Sequence, residues 1–458
     1  MAAKKIVLIG AGSASFTQGL VADMILAAGQ DEWKLGLVDV NPEALDLVKH
    51  LVQRMIQARN AKIEVSASTD RRDCLPGANM VVTTIAVGGR RAWEADVFIP
   101  RKYGVFQPVG DSIMSGGVSR SMRQIHAIIG IAKDVLALCP KTHFFNYSNP
   151  MTVNCRAVRK ATGAPVVGLC HGVLGWEKQL AAYAGFPHKD VTAVAVGLNH
   201  LTWFTDFRFR GKDAWTVIRA RLAQERQQPF DFSDLGKEFP EMGKAPQSAY
   251  RAANDPFCWE LFETYGAVPC PGDRHVSEFF PQRFPRGSYY GKTLGVDCFS
   301  FEKTVENGDK VFAMMKERAY GRQPLDESIF RRVPGEHEQL IAILSSMETD
   351  SRKFFSMNVP NRGAVSNLPC EAVIELPVAA CANGLSPMHI GELSPPLAAI
   401  LNARLSAYEV TVEAAITGSR KLFVEALLAD GSITDPVAAG KMADELLAAH
   451  KQHLPQFA

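Results

Sequence analysis

Cys170 and His200 each close an apolar run, Val166–Leu169 in one case and the stretch ending Gly197-Leu198-Asn199 in the other. A thiolate and an imidazole are both good ligands for a divalent transition metal, and hydroxyl or carbonyl oxygens of a bound ligand complete such a shell. Their spacing matches no metal motif, and buried cysteines and lone histidines commonly just pack. A second cluster, Pro269-Cys270-Pro271-Gly272-Asp273-Arg274-His275-Val276-Ser277-Glu278-Phe279, occupies a Pro/Gly turn between aromatic segments. Asp273 is suited to general-base work there, and Arg274 to binding an anion or a carbonyl; the same residues also suit a salt-bridged surface turn. Gly110-Asp111-Ser112 offers a further carboxylate. Arg90-Arg91, just past the apolar Met80–Thr84 run, presents two guanidinium forks. Such forks match carboxylate or sulfonate groups, and equally a cofactor phosphate or a surface ion pair.

The elements that must position these groups begin at the N-terminus. Lys4-Lys5-Ile6-Val7-Leu8-Ile9 reads as a buried strand that empties into Gly10-Ala11-Gly12-Ser13-Ala14-Ser15-Phe16. This is a variant of the G-x-G-x-x-G dinucleotide fingerprint, with Ser15 in place of the third glycine. Gly10 can adopt angles closed to other residues, and Gly12 leaves room for a pyrophosphate. The helix expected next, an amphipathic Phe16–Ala28, aims its unpaired N–H groups at the phosphates. Trp33-Lys34-Leu35-Gly36-Leu37-Val38-Asp39 reads as a second strand whose terminal acid suits the ribose hydroxyls. Val40-Asn41-Pro42 follows without a basic residue, which favours NAD over NADP.

A chain of 458 residues is expected to form two domains. Fifty Lys and Arg against 48 Asp and Glu leave a net charge of +2, which argues against a nucleic-acid or membrane-surface binder. No apolar run is long enough to span a bilayer, and Lys4-Lys5 leads into a strand rather than a signal-peptide core. Nine scattered cysteines, an odd number, read as reduced thiols of a cytoplasmic protein.

Strands expected at Ile6–Ile9, Leu35–Val38, Ile63–Ser66, Met80–Thr84, His143–Asn146 and Val166–Cys170 alternate with helices at Pro42–Arg59, Ser119–Leu138 and Met151–Thr162. That alternation predicts an α/β fold: an N-terminal Rossmann-like, doubly wound parallel sheet over residues 1–195, followed by a mixed α+β domain over 196–458. In the second part Thr192–Val196, Trp203–Phe209, Phe355–Val359 and Ala372–Leu376 read as strands. Helices are expected near Ala214–Glu225, Glu302–Tyr320, Val410–Leu428 and Pro436–His450. Ligands of an open sheet bind beyond the carboxyl ends of its strands, so the tips Ile85–Arg91, Tyr147–Pro150 and Cys170-His171-Gly172 should converge on the nicotinamide side.

Taken together these motifs resemble the family 4 glycoside hydrolases. The likeness rests on Gly10-Ala11-Gly12-Ser13 with Phe16-Thr17, Ile99-Pro100-Arg101-Lys102-Tyr103-Gly104, Gly110-Asp111, Gly116-Gly117, Asn149-Pro150, Cys170-His171-Gly172 and Gly197-Leu198-Asn199-His200. Near the C-terminus, Asn358–Gly363 and Ala372–Pro377 fit as well, so the likeness spans the chain. The resemblance implies a redox route to hydrolysis, an exception to two-carboxylate glycoside cleavage. NAD⁺ takes hydride from sugar C3, a base removes the acidified C2 proton, and a divalent metal, typically Mn²⁺, stabilises the enediolate. The aglycone leaves by elimination, water adds, and the hydride returns to C3.

By the same resemblance Cys170 and His200 become metal ligands, and Gly10, Gly12, Ser13, Ser15, Phe16, Asp39 and Asn149 hold the dinucleotide. Asn149 and Asn199 contact substrate, with Arg90, Arg91 and Arg274. Asp273 falls where similar α-glycosidases carry the base; other members use a tyrosine, and Tyr265 is nearby. His171 and Asp111 are both candidates for the acid. His171-Gly172 after the cysteine resembles members acting on non-phosphorylated α-hexosides and uronides. Ser112-Ile113-Met114-Ser115-Gly116-Gly117 departs from the common Gly-Pro-Gly-Gly pattern. With the arginine pair, an acidic sugar is implied: a glucuronide, a galacturonide or a sulfonated glucose, the last making the enzyme a sulfoquinovosidase. Competing readings are an NAD-dependent sugar or hydroxyacid dehydrogenase and a non-catalytic NAD-binding regulator. Family members are commonly homodimers or homotetramers.

Overall fold

The structure is a computed structural model and describes residues 4–27, 32–230, 232, 235–236, 251–330 and 339–457. Its strands are β1 Lys4–Ile9, β2 Trp33–Val38, β3 Ile63–Ser68, β4 Met80–Thr83, β5 His143–Asn146, β6 Val167–Gly168, β7 Val191–Leu198 and β8 Leu201–Phe209. There follow β9 Lys212–Asp213, β10 Val268–Cys270, β11 Ser288–Tyr289, β12 Lys292–Thr293, β13 Lys353–Pro360, β14 Val373–Cys381 and β15 Gly384–Pro387.

The first six strands lie side by side in the order 3-2-1-4-5-6, all parallel, as in dinucleotide-binding sheets. Alternation along each strand explains the layers. Ile6, Leu8, Leu35, Leu37, Met80 and Val82 pack on one face with Leu20 and Val21 of helix Ala14–Ala27 and Leu45, Val48 and Val52 of helix Pro42–Arg59. Val7, Ile9, Val38 and Val81 pack on the other with Ile128, Ile131 and Val135 of helix Met114–Leu138 and Cys155 and Val158 of helix Met151–Thr162. A strand covered on both faces reads as a continuous apolar run, which is why these strands were legible.

The sheet does not stop at β6. Gly168 pairs antiparallel with Asn358 of β13, which runs antiparallel to β14 over its whole length. Glu375 of β14 then pairs with Gly197 of β7, and the β7–β8 hairpin and β10 complete the order. Residues of both expected regions therefore share one sheet, parallel in its first half and antiparallel in its second. Ala195 lies inside β7.

Two sequence expectations are corrected. The first helix, Ala14–Ala27, is not amphipathic: it buries Thr17 and Asp23 as well as Phe16, Leu20, Val21 and Met24, while the apolar Leu26 is 54% exposed. The expected helix Val410–Leu428 is two helices, Pro395–Thr417 and Arg420–Asp430. Gly418 breaks them at φ 67°, where a Cβ would lie 1.8 Å from the Gln456 carbonyl oxygen, and Ser419 caps the second by accepting from Leu422 N. Helices Gly89–Lys102, Gly172–Ala184, Pro256–Tyr265 and Leu340–Thr349 were not anticipated.

A fully buried ion cluster ties the C-terminus to this framework. Arg123 donates through Nη1 and Nη2 to the two carboxylate oxygens of Asp96, and His450 Nε2 lies 2.9 Å from Asp96 Oδ1. Arg123 Nε also donates to the Val87 carbonyl, just past the β4 tip. Burial opposes ionisation of Asp96, yet Arg123 and His450 hold its carboxyl below the usual range.

Candidate active site

The strand tips meet where the sequence places them, and the contacts show how. Gly10 has φ 92°, and a Cβ there would lie 2.8 Å from Ile85 N. Glycine at this point lets the β4 tip close against the β1 turn. A Cβ on Gly12 would fall 2.7 Å from Asp39 Oδ2 and 2.9 Å from the Ala44 Cβ. Gly12 N donates to Asp39 Oδ2 at 2.8 Å and Asn41 N to Oδ1 at 2.9 Å. Gly12 thus makes room for the acid that sequence reasoning assigned to ribose, in addition to the expected clearance for pyrophosphate. Val40, 87% exposed, follows the acid. Ser13 N donates to the Gly10 carbonyl, closing the turn. Phe16 is buried with its ring 4.6 Å from that of Tyr147. The Ser15 side chain lies outside the described atoms. The open glycine turn and the part-buried Asp39 beside it fit a dinucleotide.

The β5 tip carries Asn149. Its carbonyl accepts from Arg120 Nε at 3.1 Å and Gln124 Nε2 at 3.3 Å. Gln124, fully buried, also donates to Ile85 O and accepts from Val87 N, so it staples the β4 and β5 tips together. Asn149 Nδ2 donates to Asp111 Oδ2 at 2.9 Å, while its Oδ1 is buried without a partner among the described residues. An orphaned buried acceptor is costly unless a ligand satisfies it.

Asp111 links this tip to His200. Ser112 Oγ donates to Asp111 Oδ1 at 2.8 Å and stands 3.1 Å from His200 Nδ1. With the serine proton committed to the carboxylate, the imidazole carries its proton on Nδ1 and keeps a lone pair on Nε2. Burial lowers the His200 pKa, which keeps the ring neutral and able to ligate. Ligand atoms of Asp111, His200 and His275 lie within 4.8 Å of one another, and the two imidazole rings are 4.2 Å apart. His275 is held well below the ordinary histidine range by burial and by His200, Arg274 and His171. Cys170 Sγ accepts from Gly172 N at 3.4 Å, at the start of helix Gly172–Ala184, where unpaired N–H groups favour a thiolate. Cys170, His171, His200, Arg274 and His275 line one cavity of about 890 Å³. The donor set of thiol, imidazoles and carboxylate suits a divalent transition metal.

Glu278, which the sequence did not single out, holds this corner. Its Oε1 accepts from both Val109 N and Gly110 N at 2.8 Å, fixing the loop that presents Asp111. Burial pushes its carboxyl up to about 8 despite those donors.

Other expected residues are placed elsewhere. Asp273 is fully buried outside the cavity wall. Its oxygens accept from Phe257 N at 2.8 Å, Cys258 N at 2.7 Å and the Tyr289 hydroxyl. Three carboxylates line the cavity, Asp255, Asp297 and Glu306, and Asp255 is raised to about 8 by burial and by Asp273 beside it. Tyr265 ends helix Pro256–Tyr265, ten residues and about 15 Å from the end at Asp255, with its ring against Trp203. Asn199 Nδ2 donates to buried Glu375 at 3.2 Å, so it braces the β7–β8 turn. Arg90 and Arg91 open helix Gly89–Lys102 and pair with Asp309 on helix Phe301–Ala319. That is the surface ion-pair reading of the two arginines. Arg274 does reach the cavity, donating to Thr304 Oγ1 at 2.8 Å, with Lys292, Lys303 and Lys310 also in the wall.

A sheet of dinucleotide-binding strand order with a thiol and imidazoles on one cavity has the make-up of an enzyme that uses a dinucleotide and a metal, and comparison with known sequences gives the family. Residues 5–186 match the Family 4 glycosyl hydrolase pattern and residues 195–433 match the Family 4 glycosyl hydrolase C-terminal domain, so the chain belongs to that family. It is 31% identical over 473 residues to an alpha-galactosidase of Rhizobium meliloti (strain 1021), covering 100% of this chain and 90% of the relative. An alpha-galacturonidase of Bacillus subtilis (strain 168) is 27% identical over 441 residues, covering 93% and 92%. The crystal structure of a putative glucosidase, lplD, from Bacillus subtilis superposes with a TM-score of 0.84 at 25% identity, covering 98% of this chain and 100% of that one. Membership makes the protein a glycoside hydrolase, and the dehydrogenase and regulator readings give way to it. Among the described residues no helix is long and apolar enough to cross a membrane.

Proposed function

We propose that the protein hydrolyses a non-phosphorylated, anionic α-hexoside with NAD as a recycled cofactor and a divalent cation, Mn²⁺ by preference. The observation that carries this reading is the single cavity holding Cys170, His200 and Arg274 beyond the carboxyl ends of the parallel strands. Gly10, Gly12, Ser13, Ser15, Phe16 and Asp39 form the dinucleotide side. Cys170 and His200, with Asp111 and His275 beside His200, would hold the metal. When bound, the dinucleotide supplies reversible hydride transfer at sugar C3 and the metal supplies Lewis acidity at the neighbouring oxygens.

The chain's own groups do the rest. Asn149 orients the sugar through its unpaired Oδ1. His171, at the start of helix Gly172–Ala184 and in the cavity wall, is the donor to the leaving oxygen. Arg274 stands where an acidic group on the hexose would meet a guanidinium, which supports a uronide or sulfonated glucose as substrate. Support for an acidic sugar therefore rests on Arg274, Lys292 and Lys303, since Arg90 and Arg91 spend their charge on Asp309 and Lys310 pairs with Glu306. The division into a dinucleotide half, 1–195, and a second half, 196–458, a cytoplasmic location and a homodimer or homotetramer belong to the same proposal.

The test is a panel of neutral, uronic, sulfonated and 6-phosphorylated α-glycosides with NAD⁺ and Mn²⁺. Aglycone release from an acidic sugar without net NADH accumulation is expected. Strong preference for a 6-phosphate would defeat the substrate reading, and steady NADH formation without aglycone release would defeat the mechanism.

A further inference from the structure

A separate cavity of about 240 Å³ lies at the amino ends of β5 and β6, the opposite edge of the sheet from the catalytic tips. It shares no residue with the cavity that holds Cys170 and His200. Its wall brings together three basic side chains: His143 at the start of β5, Arg159 from the last turn of helix Met151–Thr162, and Arg362 from the loop after β13. Among the described residues that wall contains no Asp or Glu.

The charges gathered there are not neutralised by the fold. On the same helix, Arg156 and Lys160 pair with Glu409, but Arg159 does not. Arg159 donates through Nε and Nη2 to the uncharged Val166 carbonyl, which leaves Nη1 over. Burial and the neighbouring Arg362 both hold the Arg159 pKa below its ordinary value, as expected of two like charges without a counter-ion. Arg362 ties its backbone N–H to the Cys370 carbonyl, and its guanidinium makes no ion pair among the described residues. Burial alone lowers the His143 pKa, so the ring is neutral and still donates through one nitrogen. Thr142, 8% exposed, also lines this cavity, and its Oγ1 is buried without a partner among the described residues. A buried hydroxyl left in this way costs stability until a ligand or water meets it.

We infer that this cavity is a second, non-catalytic ligand site that binds a tetrahedral oxyanion, a phosphate or sulfonate group, between Arg159 and Arg362. The donors arrive from different directions: one guanidinium from a helix end, one from the β13–β14 loop, and an imidazole and a hydroxyl from the β5 edge. A planar carboxylate matches one guanidinium fork, whereas a tetrahedral group offers oxygens to several donors out of one plane. The volume admits the charged group and a small body attached to it, but not a dinucleotide. The bound anion bridges helix Met151–Thr162 to the β13–β14 loop, and so stabilises the folded chain by mass action. Nothing in this site depends on the glycosidase reading, because it stands apart from the catalytic cavity.

The experiment titrates inorganic phosphate into the full-length protein by calorimetry, with NAD⁺ saturating so that the dinucleotide site is filled. Wild type is compared with Arg362→Glu, a change at an exposed residue. Phosphate should bind wild type saturably, and the variant should bind it about 10- to 100-fold more weakly, the worth of a hydrogen bond to a charged group. The NAD⁺ affinity and the phosphate-free unfolding midpoint of the variant should match wild type. Methanesulfonate and glucose 6-phosphate are titrated alongside. Tighter Arg362-dependent binding of glucose 6-phosphate than of phosphate assigns the site to an ester, and equal binding assigns it to the free ion; both support it. Thr142→Val keeps the side-chain shape and removes the unpaired hydroxyl, so it carries the same comparison should Arg362→Glu lower the unfolding midpoint. Phosphate affinity unchanged in the variant overturns the proposal, as does a wild type that binds neither phosphate nor methanesulfonate.

Discussion

Replacing Glu278 tests how the site corner is held. In Glu278→Ala the two backbone donors at Val109 and Gly110 lose a shared acceptor inside the protein. Each orphaned buried N–H costs about 1–3 kcal/mol, so about 2–6 kcal/mol of stability should vanish. Glu278→Gln keeps an oxygen for both donors. The wild-type carboxyl is raised from 4.5 to about 8 by burial, so the folded state binds this proton more tightly than the unfolded chain. Its contribution is therefore complete below pH 4.5 and lost as pH rises to about 8. Glutamine has no such loss. At about 1.4 kcal/mol per pH unit, the glutamine variant should gain about 3 kcal/mol on wild type between about pH 5 and 7. Urea unfolding followed by circular dichroism at both pH values measures this. The reasoning is refuted if alanine stays within about 0.5 kcal/mol of wild type, or if the Gln–wild-type difference does not change with pH.

Three further outcomes are expected. Gly12→Ala drives a Cβ against the Asp39 carboxylate and should break the Gly12 N–H bond to it, weakening NAD⁺ binding about 10- to 100-fold by calorimetry. Arg91→Ala removes a surface ion pair with Asp309; turnover of the preferred glycoside should stay within about twofold and the unfolding midpoint should not move. Asp96→Asn leaves the Arg123 guanidinium uncompensated in the core and should cost about 3–5 kcal/mol, read as a large fall in unfolding midpoint.

Much of the framework is local and was readable as such. Helices Pro42–Arg59, Met151–Thr162 and Pro436–His450 and strand β5 run as expected from periodicity and caps. Asn41 accepting from Glu43 N and Ala44 N, with Pro42 at the first turn, is a helix start written in consecutive residues. The break at Gly418 was hidden because the apolar pattern continues through it. What forbids a side chain there is the Gln456 carbonyl, contributed by the chain's last turn.

Sequence alone determined the dinucleotide turn, the acid after β2, the parallel sheet implied by alternation, and the glycosidase family. Each depends on neighbours within a few residues or on a set of short motifs. Tertiary structure decided which polar groups face the cavity. Asp273 and Asp255 are both acids beside apolar segments, and nothing in either neighbourhood says which one faces the cavity. The answer lies in a cap supplied across 15 and 16 residues and in a glycine that lets it approach. Arg90 and Arg274 are likewise indistinguishable in the chain. One meets Asp309, more than two hundred positions away, and the other meets Thr304 at the cavity wall. Cys170 and His200, unremarkable by spacing, share a pocket because one sheet sets Gly168 of β6 and Gly197 of β7 level with each other through Asn358 and Glu375, although the two strands run in opposite directions. Charge and hydrogen-bonding capacity are properties of a residue, but whether they are spent on the fold or left for a ligand depends on partners that only folding brings near.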